Sequence, residues 1–196
     1  NHTLKSRDAQ TFKQAVIVGI GGSALGPQLV FDAFGIQGPG LELFFCDNTD
    51  PEGIHRLLTK LDQKLSETLF IVISKSGGTI ETRNGMLEIM HFCAARHLEF
   101  ADRAVAITCK GSNLDNLAKD RNWLDSFYIW DWVGGRTSIF SAVGLLPAAL
   151  QGLDIDQFLK GARLMDRLTR SEDLKSNPAT MLAATWYAAG DGSGKR

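Results

Sequence analysis

The stretch from Leu69 to Thr82 constrains the fold more than any other part of this sequence. Five apolar residues, Leu69 to Ile73, are followed by the small polar segment Ser74–Thr79, and a helical pattern resumes directly after it. The apolar run predicts a strand that is buried on both faces. A strand, a short polar loop and a helix in this order bring free backbone N–H groups together at the start of the helix.

The loop itself has the composition of an anion site. It holds three hydroxyl side chains, those of Ser74, Ser76 and Thr79, together with Lys75 and a pair of glycines. Glycines allow a close approach of the backbone, hydroxyl groups donate hydrogen bonds, and the ammonium adds charge. The loop therefore predicts phosphate binding. A capped strand-to-helix turn without a ligand is the alternative, because Ser and Thr are ordinary N-cap residues.

The same alternation of strand and helix continues along the chain. Strands are predicted at residues 15–20, 41–46, 69–74, 104–108 and 127–130. One helix is predicted to follow the first glycine-rich loop and to end near residue 34. Six more are predicted at residues 51–64, 79–97, 111–120, 138–150, 156–168 and 177–189. Repeated βα units predict an α/β fold, a doubly wound five-stranded parallel sheet flanked by helices in a three-layer sandwich of the flavodoxin or Rossmann type.

Four loops follow predicted strand ends and are expected to meet on one edge of the sheet. They begin at Gly21, Asp47, Ser74 and Gly134. Ligands of doubly wound sheets bind beyond the carboxyl ends of the strands, so this edge is the expected site.

Composition limits the possible functions. The chain has 196 residues, 44% of them hydrophobic, and a formal net charge of −1. This length suits one α/β domain, and the absence of a basic block argues against nucleic-acid binding. No apolar run reaches the length of a membrane span, and residues 1–5 have no signal-peptide pattern.

The cysteines and histidines point to no metal. Cys46, Cys93 and Cys109 are widely separated, and the four histidines form no metal motif. The cysteine spacing fits no disulfide framework either, and we expect a reduced, cytoplasmic compartment.

A rival interpretation rests on the first glycine-rich loop. The segment Gly19 to Ala24 fits a loose form of the dinucleotide-binding fingerprint, and Asp47 could act as its ribose-binding acid. It would indicate an NAD-linked oxidoreductase. The acid, however, lies further along the chain than the usual spacing of about 20 residues. A structural tight turn without a ligand is the other alternative for this loop.

Both ends of the sequence suggest part of a longer protein. There is no initiator methionine, and the last five residues, Gly192 to Arg196, come directly after an apolar helical pattern. We therefore expect an excised piece of a longer protein.

Three segments together carry a family resemblance. They run from Gly19 to Pro27, from Ser74 to Thr82 and from Asp131 to Gly144. In this order they resemble the glucose-6-phosphate isomerase family. The resemblance covers nearly the whole chain, but it corresponds to only the first of the family's two sugar isomerase (SIS) domains. The resemblance implies that residues 1–196 form a single SIS domain of a two-domain enzyme.

The resemblance also implies a reaction and a set of site residues. The family interconverts glucose 6-phosphate and fructose 6-phosphate through an enediol intermediate, without a metal or an organic cofactor. Arg136 matches the active-site arginine, which would stabilise the enediolate. The residues that match substrate-binding positions are Gly22, Ser23, Ser74, Lys75, Ser76, Thr79 and Gly135.

Other catalytic groups of the family lie in later segments. The resemblance places a glutamate base, a histidine from the partner subunit and a lysine beyond this chain, in a parent that is a homodimer. We therefore expect the chain to bind a sugar phosphate without turning it over. A non-catalytic SIS module that senses sugar phosphates is the alternative, although such a module would not need the Gly134–Arg136 motif.

Overall fold

Five parallel strands form the centre of the computed structural model, which describes residues 6–7, 11–190 and 192. The predictions for residues 1–5 and 193–196 lie outside the described residues. The strands are β1 Gln14–Val18, β2 Glu42–Cys46, β3 Thr68–Ile73, β4 Ala104–Thr108 and β5 Asp125–Tyr128. Their order in the sheet is β2-β1-β3-β4-β5, and each neighbouring pair is parallel. The predicted five-stranded parallel sheet is confirmed.

Helices follow the strands as the sequence predicts. They are α1 Leu25–Phe34, α2 Pro51–Leu61, α3 Ile80–Ala94, α4 Asn113–Asp120, α5 Ala142–Leu150, α6 Ile155–Thr169 and α7 Pro178–Ala189. Short 3₁₀ helices occupy Gly21–Ser23, Asp62–Glu67, Ala101–Arg103 and Gly135–Phe140. Asp50 caps α2 by accepting a hydrogen bond from the Gly53 amide at 2.9 Å, and Pro51 stands at its first position, as expected.

The side chains of the strands alternate between two hydrophobic cores. On one face of the sheet Val16 and Val18 pack in a cluster with residues of α2, α3 and α4, such as Leu61 and Ile89. On the other face Ile17 packs in a second cluster, against which residues of α1 and α5 lie. Because successive strand residues point to opposite faces, a run of apolar residues requires helices on both sides. The doubly wound, three-layer prediction is confirmed.

The boundaries of the edge strand differ from the prediction. We predict a strand at residues 127–130, whereas β5 begins at Asp125 and ends at Tyr128. Its register is set by β4, since the Leu124 amide donates to the Ala104 carbonyl at 3.0 Å and the Ile129 amide to the Thr108 carbonyl at 2.8 Å. β5 has no buried residue, so its apolar pattern carries little information about its ends.

Several helix ends also differ from the prediction, and two of them have a local structural reason. The helix predicted to reach residue 97 ends at Ala94, and His97 adopts a left-handed conformation with φ of 58°. The Leu98 amide then donates to the Cys93 carbonyl, which closes the helix end. The helix predicted from residue 138 begins at Ala142, because Ser141 caps it and the residues before it form a 3₁₀ helix.

The chain divides into two compact units, Asn1–Leu153 and Asp154–Arg196. The first contains the sheet and α1 to α5; the second contains α6 and α7. Within the second unit the Asn177 amide donates to the carbonyls of Thr169 and Ser171, and its oxygen caps α7. That all 196 residues form one SIS domain stays a prediction. No helix among the described residues is long and apolar enough to cross a membrane.

Candidate functional site

The sheet order fixes where a ligand is expected. The direction in which the chain winds across the sheet reverses between β1 and β3, which are neighbours although β2 lies between them in sequence. Doubly wound sheets of this order bind ligands at the carboxyl ends of these two strands. The residues that follow β1 and β3 are the Gly19–Ser23 and Ser74–Thr79 segments singled out from the sequence.

The Ser74–Thr79 segment is held by its own hydroxyl groups. The Ser74 and Thr79 hydroxyls are 3.1 Å apart, and the Gly77 amide donates to the Ser74 hydroxyl at 3.2 Å. The Gly78 amide donates to the Ser76 hydroxyl at 3.1 Å. Ser74 is buried, whereas Ser76 is exposed. Of these hydroxyl groups, that of Ser76 is therefore the most accessible to a ligand.

Gly77 is required by geometry. Its φ of 70° lies in the left-handed region, and a Cβ atom on it would meet the backbone nitrogen of Leu114. A larger residue there would push α4 away from the loop. Thr79 is the N-cap of α3 but makes no capping hydrogen bond with its side chain. Among the described residues, the first amides of α3 thus have no side-chain acceptor, which favours an anion at this end of the helix.

A cavity of about 580 Å³ opens at the loop, and we call it the lysine cavity. Its lining residues are Ser23, Lys75, Ser76, Thr79, Cys109, Lys110, Gly111 and Ser112. They include two cationic and four hydroxyl side chains, and no carboxylate is among these described residues. The lining therefore offers donors and positive charge, the combination that suits an anionic ligand.

A second, smaller cavity lies beside it where two glycine loops touch. This glycine cavity of about 110 Å³ is lined in part by Gly22, Ser23, Lys75 and Gly135. A Cβ atom on Gly22 would lie 2.5 Å from the carbonyl oxygen of Gly135, so only glycine allows this approach. The Ser138 hydroxyl bridges the loops, at 2.9 Å from the Gly22 carbonyl and 2.7 Å from the Gly135 carbonyl. Four of the predicted residues are therefore brought together here.

Lys75 lines both cavities and links two loops. Its ammonium donates to the carbonyls of Asp131 and Val133, the latter at 3.0 Å. The segment that leads into Gly134, Gly135 and Arg136 is thereby tied to the Ser74–Thr79 loop. The sequence predicted that Lys75 adds charge to a candidate anion site, but no sequence pattern indicated its contact with the Asp131–Val133 segment.

Two predicted residues lie apart from these cavities. The Arg136 side chain is exposed, lines neither cavity, and makes no hydrogen bond or ion pair within the described part of the chain. Ser74 lines a third cavity, of about 530 Å³, between α3 and α4. The structure thus groups six of the predicted residues around the two cavities: Gly22, Ser23, Lys75, Ser76, Thr79 and Gly135. Arg136 follows Gly135 directly in the sequence, but its guanidinium is exposed.

The loop after β4 is a part of the site that the sequence analysis missed. Cys109 to Ser112 form one wall of the lysine cavity. The signal was available, because these residues follow a predicted strand end just as the other loops do. We predict a helix from residue 111, whereas α4 begins only at Asn113, with Ser112 as its cap.

Asp115 supports this loop from beneath. It is completely buried and accepts hydrogen bonds from the Gly111 amide and the Lys119 ammonium, both at 2.7 Å. Tyr128 also donates to it, at 3.3 Å. Burial opposes the ionisation of Asp115, but the hydrogen bonds from these donors outweigh it and hold the pKa of the carboxyl below its usual value.

The residues on which the dinucleotide interpretation depends have other structural roles. Asp47, the candidate ribose acid, accepts hydrogen bonds from the Gln28 amide at 2.7 Å and the Asn48 amide at 3.0 Å. Gly21–Ser23 form a 3₁₀ turn, and α1 begins only at Leu25. Asp47 lines neither the lysine nor the glycine cavity.

The described cysteines are unpaired, and no cluster of metal-ligating side chains was found among the described residues. Burial raises the pKa of the Cys46 thiol to about 11, and the negative charge of Asp47 adds to the shift. Burial also raises the pKa of Cys93 to about 11. These two thiols are therefore unreactive at neutral pH, whereas Cys109 is partly exposed in the wall of the lysine cavity.

Sheet order and loop chemistry together define a class. The chain is a doubly wound α/β protein whose polar, glycine-rich loops converge at the β1/β3 switch point, where such proteins bind small ligands. A family model described as phosphoglucose isomerase matches residues 3–194, and the chain belongs to this family.

Individual relatives agree with the family. The chain is 54% identical over its full length to a glucose-6-phosphate isomerase of Rippkaea orientalis, and 53% identical over 98% of its length to one of Geobacter sp. strain M21. It spans only 37% and 36% of these relatives. None of these similarities supports the oxidoreductase interpretation.

Solved structures are also similar. A glucose-6-phosphate isomerase from Chlamydia trachomatis shares 32% identity with a TM-score of 0.81, over 91% of this chain and 34% of that one. A hypothetical protein from Thermus thermophilus shares 34% identity with a TM-score of 0.80, over 90% of this chain and 42% of that one. The fold seen here is thus part of larger proteins.

Proposed function

We propose that this chain is the substrate-binding SIS domain of a glucose-6-phosphate isomerase, an aldose–ketose isomerase that interconverts glucose 6-phosphate and fructose 6-phosphate through an enediol. The observation that carries the proposal is the meeting of the Gly22, Ser74–Thr79 and Gly135 loops at one edge of the sheet. Family membership supports it, since the relatives with about 54% identity are isomerases of this name.

The phosphate is assigned to the lysine cavity. The Ser76 and Thr79 hydroxyls and the first amides of α3 can donate to its oxygens, while Ser74 holds the loop by accepting from the Gly77 amide. Hydrogen bonds from hydroxyl and backbone donors to a charged phosphate are stronger than those to a neutral group. Helix α3 also directs the positive end of its dipole toward this position.

The sugar is assigned to the glycine cavity and its surroundings. Gly22 and Gly135 leave room for the backbone to approach the ligand, and Ser23 lines both cavities, so that it can contact the phosphate or the sugar. Arg136 follows Gly135 directly and is unpaired among the described residues. A guanidinium placed against the enediolate would stabilise charge that develops only in the transition state, which raises the rate rather than the affinity.

We propose further that the chain alone binds the sugar phosphate but does not turn it over. Proton transfer between C1 and C2 needs a base within hydrogen-bond reach of the substrate carbon. The chain spans about 37% of its relatives, and the family's base is expected in the remainder. The parent is proposed to be a cytoplasmic homodimer of glycolysis and gluconeogenesis that needs no metal or organic cofactor. The two buried, unreactive thiols suit a reducing compartment.

A thermal-shift titration tests the binding site. Fructose 6-phosphate should raise the melting temperature of the chain, because a ligand that binds only the native state stabilises it. Ser76→Asp should abolish the shift by placing a carboxylate against the phosphate. Ser66→Asp, which adds the same charge near the amino end of β3, is the matched control and should keep it. Stabilisation by NAD instead, with no effect of Ser76→Asp, would support the oxidoreductase interpretation.

A coupled assay tests the absence of turnover. Purified chain is supplied with fructose 6-phosphate, and glucose 6-phosphate is detected with its dehydrogenase. We expect no signal above the blank from the chain and a signal from a full-length relative treated identically. Isomerase activity that copurifies with the chain, and is lost on Arg136→Ala, would contradict the proposal that later segments are required.

A further inference from the structure

The loop from Cys109 to Ser112 is fixed in place before any ligand arrives. The Cys109 amide donates to the Lys75 carbonyl at 3.1 Å, and the Thr108 hydroxyl donates to the Ser74 carbonyl at 2.6 Å. Gly111 has a φ of 78°, and its amide donates to the buried Asp115 carboxylate. Because these contacts join the loop to its neighbours on both sides, the backbone position of Lys110 is set by the scaffold.

The two lysines of the lysine cavity are in different situations. The Lys75 ammonium is engaged with the carbonyls of Asp131 and Val133. Lys110 is exposed and makes no hydrogen bond or ion pair with any residue that the structure describes. Two of the three donors of the Lys75 ammonium are thus directed at carbonyl oxygens, whereas all three donors of Lys110 remain available to a ligand.

We propose that Lys110 provides the charge that selects a doubly ionised phosphate in this cavity, and that Lys75 is a positioning residue for the segment leading to Arg136. This rests on the proposed function, which places the phosphate in the same cavity. Hydroxyl and amide donors can hold either form of the phosphate, and an ammonium adds to them an attraction that grows in proportion to the charge of the ligand. The second ionisation of a phosphate monoester has a pKa of about 6, so pH controls which form is present.

Titration of the 196-residue chain with fructose 6-phosphate by calorimetry tests the role of Lys110. At pH 7.5 and low salt, Lys110→Gln should weaken binding about tenfold, the scale of one charge-assisted hydrogen bond. At pH 5.0, where most of the ligand is singly ionised, the loss should shrink to about fourfold, because halving the charge of the ligand halves the attraction. Lys110→Arg should keep the affinity. Lys64→Gln, an exposed lysine in the 3₁₀ helix before β3, is the matched control and should change nothing.

Tryptophan fluorescence separates the two lysines. Trp130 and Trp132 stack at 5.6 Å on either side of Asp131 and are 63% and 75% exposed. Lys75→Gln removes the bonds to that segment and should change the emission of this pair, in the absence of ligand. Lys110→Gln should leave the emission as it is in the wild type. Equal spectra for wild type and Lys75→Gln would overturn the positioning role.

The outcomes of the titration separate the two proposals. A wild-type chain that binds neither fructose 6-phosphate nor inorganic phosphate overturns the proposed phosphate site, and the role of Lys110 with it. A wild-type chain that binds, beside a Lys110→Gln variant of equal affinity, overturns the role of Lys110 alone. A loss that is the same at both pH values, or that Lys110→Arg fails to restore, shows a structural effect and also overturns it.

Discussion

Replacement of Gly22 by alanine tests the contact that joins the two glycine loops. A Cβ atom on Gly22 would lie 2.5 Å from the carbonyl oxygen of Gly135 and 2.7 Å from its Cα. Ordinary contact begins near 3.4 Å, so the loops must separate by about 0.9 Å, the difference between 3.4 and 2.5 Å. The Ser138 hydroxyl, whose single proton is shared between the two carbonyls at 2.9 and 2.7 Å, could then reach only one of them well.

The magnitude follows from these two losses. Forcing an extra methyl group into a packed contact costs about 1–3 kcal/mol. Losing one hydrogen bond between neutral groups costs about 1 kcal/mol more. We expect the free energy of unfolding to fall by about 2–4 kcal/mol. For a chain of this size the melting temperature should fall by about 4–16 °C.

Calorimetric melting and fructose 6-phosphate titration measure the two consequences, stability and affinity. Gly26→Ala is the matched control, since its Cβ would lie 3.5 Å from that of Ile139, an ordinary contact, within α1. Alanine is favoured over glycine in a helix by up to about 1 kcal/mol, so the control should be neutral or stabilising. A Gly22→Ala chain that melts and binds like the wild type would refute the close approach of the loops.

Three further predictions concern stability, acid response and thiol access. The Thr82 hydroxyl is buried without a partner among the described residues, so the isosteric Thr82→Val should raise the free energy of unfolding by about 0.5–1 kcal/mol in urea denaturation; a destabilised variant would reveal a partner. Burial opposes the ionisation of Asp115, but its hydrogen bonds, chiefly that from Lys119, hold the pKa of the carboxyl below its usual value. The ionised carboxylate therefore stabilises the folded chain fully above pH about 4, and this stabilisation is lost as the pH falls through the folded-state pKa. Unfolding curves between about pH 5 and 2 should therefore be flatter for Asp115→Asn than for the wild type, and parallel curves would contradict this role. Fructose 6-phosphate should slow the alkylation of Cys109, which lines the lysine cavity, while the two buried thiols stay unreactive until the chain unfolds. Mass spectrometry with and without the ligand measures the extent of alkylation, and a Cys109 that the ligand does not protect would place the ligand elsewhere.

The sequence predicted the central part of the fold well because that information is local. Unbroken apolar runs such as the one in β3 require burial on both faces, and only a parallel sheet between two helical layers provides it. The Ser74–Thr79 loop could equally be recognised as a candidate anion site, since its hydroxyls, glycines and following helix are adjacent in the chain. The edge strand β5 was placed less well, because its half-exposed residues carry a weak pattern and its register comes from pairing with β4.

Only the tertiary structure decided which loops contact one another when they are distant in sequence. Lys75 and Val133 are 58 residues apart, and no local pattern indicates that the ammonium of one meets the carbonyl of the other. The same holds for Gly22 and Gly135, and for Lys110 in the wall of the lysine cavity. Residue types determined which loops can bind an anion. The strand order determined which loops meet, because it brings the carboxyl ends of non-consecutive strands side by side.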